Sequence, residues 1–398
     1  MLKIANRISA LGTETAFAVS EEAAAFAALG NKVYPFHLGD LNFRTPTKIV
    51  EATRRAIEEG KTGYCPTRGI TPLREVLAAD VNTPRGTHYK VDNVAVQPGG
   101  KPTIGKFVLA LMNPGDEVLY PNPGYPIYES QISFNGGIPI PYSFIEDRDR
   151  FRLDIEGLRR QITKRTRMLV INSPQNPTAA EYNKDELEQL AEIAMANDLV
   201  VLSDEAYFDI RYEGKSQSIA SLPGMEERTV ILYTFSKKFA MSGWRLGATI
   251  GPAEVINVVA KLNVNDESCS NHFIQYGAVA GLSSEQPEVK QQLNVLKERR
   301  DVAHDILTSI PGIRCLLPQT TFYLYPNVTG LMRDKGYADY ESFRKDILEH
   351  TGVSFCTRMH FGRPSEGERE RYVRFAYSGI DVAAIREGLG KMKQYLMK

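Results

Sequence analysis

The sequence predicts an α/β protein: a mainly parallel sheet covered by helices, followed by a smaller α+β region. Three observations lead to this. Short β-rich runs alternate with amphipathic stretches between residues 93 and 235, the pattern of strands joined by crossover helices. After about residue 285 the character changes to a long charged helix, short strands and further helices. A chain of 398 residues is also too long for one ordinary core. The division it implies is 1–45 as an N-terminal arm joining the small domain, 46–285 as the large domain and 286–398 as the small C-terminal domain.

In chain order, the alanine-rich stretch 15–30 reads as a helix stopped by Gly30, and VYPFHLGDLNFRTP as an extended segment ending in a turn. The strands follow as NVAVQ (93–97), DEVLY (116–120), RMLVIN (167–172), LVVLSD (199–204) and TVILYTF (229–235). KDELEQLAEIAMAN (184–197) has helical periodicity. Beyond residue 285 come the helix PEVKQQLNVLKERRDVAHDILTSI, the strand FYLYPNV, a helix near 338–350, a short strand pair and a C-terminal helix.

Composition narrows the function classes. Forty-eight basic residues balance 48 acidic ones, so no net field draws the chain to nucleic acid or an anionic membrane. The four cysteines are scattered without a CxxC pair, and the six histidines show no metal-ligand spacing, which implies a reducing compartment and no metal. The N-terminus lacks the apolar core of a signal peptide, and no run approaches the roughly 20 apolar residues of a membrane span. A cytoplasmic protein is expected.

Ligands in open α/β sheets bind beyond the carboxyl ends of the strands. Each predicted strand here runs into polar or glycine-rich sequence: PGGKP, PNPGYP, SPQNPT, DEAY and SKK. Any one of these is an ordinary polar loop when taken alone. Together they bring Gly99, Gly100, Lys101, Tyr125, Asn176, Asp204, Tyr207 and Lys237 to one rim. GKPTIGK (100–106) imitates part of a P-loop, but Phe107 stands where Ser or Thr must hold magnesium, and Lys106 falls inside the predicted helix. What survives is a glycine pair at a helix start, which suits a phosphate. A strand-end lysine, an acidic residue, an aromatic and a phosphate site are the set that pyridoxal 5′-phosphate requires.

The ordered series HLGDLNFRTP, GYCPTRGITPLRE, PGGK, PNPGYP, NSPQNPT, SDEAY, SKKFAMSGWRLG and VRFAYS resembles the class I/II aminotransferases, the fold type I enzymes typified by aspartate aminotransferase. The resemblance implies that Lys237, eight residues before Arg245, is the Schiff-base and acid–base lysine. It implies that Asp204 faces the pyridine nitrogen, Tyr125 stacks on the ring, and Asn176 and Tyr207 contact the phenolic oxygen. Gly99, Gly100, Lys101, Thr234, Ser236 and Arg245 would bind the phosphate, with Tyr64 reaching it from the neighbouring subunit of a homodimer. Arg374 would take the substrate α-carboxylate with the Gly39 N–H, beside Asn176. Lys238 is left to face solvent or phosphate.

Three departures from the family pattern stand out. Thr234 replaces Ser or Gly. NPTAA replaces NPTG, which is expected to change the turn after Asn176. The segment FCTRMHFGRPSEGERERY is longer and more polar than usual, with His360 as a lid or surface residue. The bonds before Pro123 and Pro177 are candidates for the cis form.

The expected activity is transamination between an L-amino acid and a 2-oxo acid. Lys101 either binds the distal carboxylate of aspartate or glutamate or only supports the phosphate. The same motifs also serve a carbon–sulfur β-lyase. A non-catalytic regulatory module would not need Lys237.

Overall fold

The computed structural model describes residues 2–12 and 15–398. Its centre is a seven-stranded sheet in the order Val94–Gln97, Gly247–Ile250, Thr229–Thr234, Val200–Asp204, Thr166–Asn172, Glu117–Pro121, Ile138–Tyr142. Gly247–Ile250 is antiparallel to both its neighbours, and the remaining pairs are parallel. All five strands read from the sequence are present within a residue or two of their expected ends. The reading missed two others: Gly247–Ile250, hidden behind the WRLG turn, and Ile138–Tyr142, whose two prolines mask a strand at the sheet edge.

Side chains alternate across this sheet with period two. Ala95, Val118, Met168, Val170, Leu202, Val230 and Leu232 pack on one face with residues of the helices Lys101–Leu111 and Ala253–Asp266. Val94, Val96, Ile231 and Tyr233 turn to the other face, toward the helices Thr71–Arg85 and His272–Leu282. Leu119, Leu169, Ile171 and Val201 meet the helix Lys184–Ala196 there. Both faces are buried, which is why the strands read as near-continuous apolar runs.

A second core gathers residues from the C-terminal third. Phe322, Phe375, Ile385 and Leu389 are fully buried with Leu296 and Leu307 of the long helix Pro287–Thr308. Tyr34 and Phe36 join this core from the N-terminal end of the chain, where Tyr34–Pro35 pairs in parallel with Val353–Ser354. Tyr323–Leu324, Val373–Ala376 and Cys356–Thr357 form a small antiparallel sheet beside it. Among the described residues no helix is long and apolar enough to cross a membrane.

Candidate active site

A cavity of about 510 Å³ opens where the parallel strands end. Gly39, Gly100, Lys101, Tyr125, Asn176, Asp204, Tyr207, Thr234, Ser236, Lys237, Arg245 and Arg374 all line it. Strand register explains the convergence: Asn172 lies beside Asp204 and Asp204 beside Leu232, so three neighbouring strands end at one level. The residues that follow them fall on a common rim.

Asp204 is the buried anion of the site. Its Oδ2 accepts 2.6 Å from the Tyr128 hydroxyl and its Oδ1 accepts 3.2 Å from the Ala206 N–H. Burial pushes its carboxyl up to about 6, against those two hydrogen bonds.

Lys237 and Lys238 part company. Lys237 Nζ enters the cavity, donates 2.7 Å to the Gly39 carbonyl and lies 5.6 Å from the centre of the Phe322 ring. Lys238 corrects the sequence reading: it faces neither solvent nor phosphate but turns away to Asp80 at 2.9 Å and Asp209 at 3.4 Å. Burial works against its charge, yet Asp209 and Asp80 outweigh that and hold its pKa above the ordinary lysine value. The four-residue turn Phe235–Lys238 separates them, its first N–H groups capped by the Thr234 hydroxyl, which accepts 3.2 Å from the Ser236 N–H.

At the adjoining loop Gly99 (φ +103°) is required twice: the angle favours glycine, and a Cβ there would collide with the Arg245 guanidinium. A Cβ on Gly100 would come within 2.7 Å of the Leu232 side chain. Arg245 donates 2.7 Å to the Ser242 carbonyl. Lys101 Nζ stands 5.6 Å from the centre of the Tyr125 ring. Lys106 points elsewhere, into a buried cluster with Gln97, Asn263 and Glu267, which disposes of the P-loop likeness.

Arg374 closes the opposite side. It is 4% exposed, donates 2.8 Å to Asn176 Oδ1 and 2.6 Å to the His37 carbonyl, and has the rings of Tyr323 and Phe361 within 4.6 Å of its guanidinium carbon. Its buried Nε has no hydrogen-bond partner among the described residues. Burial, and then the Arg374 charge, push His37 down to about 4, so that ring stays neutral near neutral pH. Tyr207 donates to or accepts from the Tyr323 hydroxyl at 2.8 Å.

The Gly39 carbonyl accepts from Lys237 Nζ, and Gly39 lines the cavity as Arg374 does. Ala179 keeps φ at +57°, so NPTAA preserves the left-handed turn that glycine would favour. The peptides before Pro123 and Pro177 are cis, as is the one before Pro174, which the sequence reading had not singled out. His360 Nδ1 accepts 3.0 Å from the Thr357 N–H, inside a turn and outside the cavity. Tyr64 also stays outside the cavity, 89% exposed.

Tyr128, Asn172 and Tyr323 line the cavity and were missed. Asn172 had a visible signal, as the polar last residue of the strand beside that of Asp204; its Nδ2 donates 3.0 Å to the Asp204 carbonyl and its Oδ1 accepts 3.0 Å from the Asn176 N–H. Tyr128, three residues past Tyr125, and Tyr323 carried no signal beyond being aromatic.

Residues 31–392 match the profile of the family Aminotransferase class I and II. The chain is 33% identical over 379 residues, 95% of each chain, to an aspartate aminotransferase of Geobacillus stearothermophilus. It is 31% identical, across the full length of both chains, to an aspartate aminotransferase of Bacillus subtilis strain 168. Among solved structures it resembles the alanine aminotransferase of Pyrococcus furiosus, with a TM-score of 0.90 and 28% identity over 99% of this chain and 100% of that one. The chain therefore belongs to the class I and II aminotransferases, fold type I enzymes that use pyridoxal 5′-phosphate to move amino groups between amino acids and 2-oxo acids.

Proposed function

We propose that this aminotransferase acts on dicarboxylic substrates, with glutamate and 2-oxoglutarate as one pair and aspartate as the other donor, and that it works as a cytoplasmic homodimer with shared active sites. The observation that carries the catalytic part is the convergence of Lys237, Asp204 and Arg374 in one cavity.

The residues fit the cofactor. A buried carboxylate at the floor of the cavity suits the protonated pyridine nitrogen, and Asp204 is that group. The cradle at Gly99 and Gly100, which a Cβ would fill, with Lys101, Thr234, Ser236 and Arg245 beside it, suits the phosphate. Tyr125 offers a ring face, and Asn176 and Tyr207 offer donors for the phenolic oxygen. When bound, the cofactor supplies a carbonyl that condenses with amino groups and a ring that accepts the electron pair released at the substrate Cα.

The chain supplies the rest. Arg374, which lines the cavity, orients the α-carboxylate, and the Gly39 backbone borders the same space. Lys237 Nζ takes the proton from the substrate Cα as a general base; the Gly39 carbonyl, 2.7 Å away, fixes where that nitrogen waits. Tyr323 and Phe361 exclude water around the guanidinium, which strengthens its hold on the carboxylate.

The dimer rests on Tyr64 and on the exposed Leu2, Ile4, Ile8 and Leu11 of the N-terminal arm, side chains that a partner subunit would cover. The arm (1–45) then belongs with a small domain (286–398) across from the large domain (46–285), as the pairing of Tyr34 with Val353 supports. A chain that sediments as a fully active monomer would contradict the shared site. The cytoplasmic assignment rests on four cysteines scattered along the sequence without a CxxC pair.

The test of the substrate is a half-reaction. Cofactor-loaded protein given glutamate alone should release 2-oxoglutarate in the amount of its sites. Lys101→Ala should raise the KM for aspartate and glutamate by roughly one to two orders of magnitude, the worth of a charge-assisted contact, and spare alanine. An equal loss for every amino acid would confine Lys101 to the cofactor.

A further inference from the structure

The polar segment at 356–372 contains a buried arginine, paired with a more exposed glutamate, that the catalytic reading leaves unused. Arg358 is 1% exposed and uses its donors in three directions. Its Nε and Nη2 grip both oxygens of Glu368, at 2.9 and 3.0 Å. Nη1 donates 2.8 Å to the Gly362 carbonyl, and Nη2 donates 3.0 Å to Asn122 Oδ1. Asn122 answers with its Nδ2, 2.8 Å from the Arg363 carbonyl, and the Gly124 N–H donates 3.0 Å to the Phe361 carbonyl. Gly362, at φ +103°, allows this approach, since a Cβ there would come within 2.5 Å of Asn122 Oδ1.

Both ends of this clasp lead to the cavity. Asn122 opens the loop that carries Tyr125. Phe361 lies 4.6 Å from the Arg374 guanidinium carbon and packs with Ala16 and Val19 of the first helix. We propose that Arg358 is a positioning residue: by clamping residues 361–363 to the Asn122 loop, it fixes Phe361 against Arg374 and so sets the site for the substrate α-carboxylate. This rests on the carboxylate role given to Arg374 above. Only a planar fork reaches all three partners, so lysine cannot replace it.

Arg374 grips the carboxylate in the ground state and the transition state alike, so loosening its platform acts as a loss of uniform binding. Arg358→Met should raise the KM for glutamate, aspartate and alanine by one common factor, about tenfold to a hundredfold, as expected for a misplaced binding group. The change in kcat should stay within about twofold. Calorimetric titration of the cofactor-loaded protein with 2-oxoglutarate should show its Kd rising by the same factor. Arg358→Lys should not rescue. Glu368→Gln, which keeps the shape of the partner, should move the same constants in the same direction, and the double variant should add little to Arg358→Met.

Arg374→Lys is the control: if it leaves KM unchanged, the carboxylate reading fails and the inference falls with it. If Arg374→Lys raises KM while a folded Arg358→Met and Glu368→Gln lower only the melting temperature, the clasp is structural and the proposal alone is overturned. Should Arg358→Met fail to fold, Glu368→Gln decides by the same KM criterion.

Discussion

Asp204, Thr234 and Lys237 on the sheet side of the cavity are each presented by the strand end or short turn that precedes them, with capping bonds spanning two residues. Arg374 on the other side is held by partners far along the chain: the His37 carbonyl lies 337 positions away and Asn176 lies 198 away. The clasp of Arg358 on Asn122 spans 236. The backbone of one wall is placed by local geometry, with the Lys237 amine then held by the distant Gly39 carbonyl; the other wall is made by the docking of the C-terminal core onto the sheet. Substitutions on the first wall should therefore strike the chemistry, and those on the second should strike binding.

The largest effect should come from the sheet side. Lys237→Ala removes the group that takes the Cα proton, and steady-state rates should fall by about 10²–10⁴-fold or more while cofactor still binds noncovalently. A variant that lost cofactor affinity but kept its rate at saturating cofactor would assign proton transfer elsewhere and break the contrast between the walls.

This division also governs what the sequence could tell. The sheet-side residues were legible because each follows an apolar run and falls in a short motif. Asn172 was legible in principle by the same logic. Tyr128 and Tyr323 were not, because their roles come from which helix or strand packs over the rim, a tertiary fact with no local pattern. Lys238 was misread for a related reason: nothing nearby in sequence announces Asp80, 158 positions away. The antiparallel strand Gly247–Ile250 escaped because it follows the Arg245 turn directly, with no helix between.

A second, intermediate effect concerns stability. In the apoprotein burial lifts Asp204 to about 6, above the ordinary aspartate value, so the folded state binds this proton more tightly than the unfolded chain does. The resulting stabilisation, about 3 kcal/mol, is fully present below about pH 4 and is lost as pH rises through about 6. Urea unfolding of the apoprotein at pH 4 and pH 7 should show this difference, and Asp204→Asn should lack it. Bound cofactor should remove it too, because a pyridinium facing the carboxylate favours its charged form.

The smallest effect belongs to the turn after Asn176. Ala179 holds a left-handed backbone, φ +57°, that costs an L residue about 1–2 kcal/mol. Ala179→Gly relieves this but adds unfolded-state entropy, for a net gain of about 0.5–1 kcal/mol. Thermal unfolding should show a slight rise with kcat unchanged; a loss of activity would mean that this turn takes part in more than shape.

Lys237, and not its neighbour, is proposed as the amine that joins the cofactor. Borohydride reduction of the cofactor-loaded protein, followed by digestion and mass spectrometry, tests it directly. A reduced pyridoxyl adduct is expected on Lys237 alone, with Lys238 unmodified in its ion pairs with Asp80 and Asp209. An adduct on Lys238, or none on the peptide carrying both lysines, would contradict it.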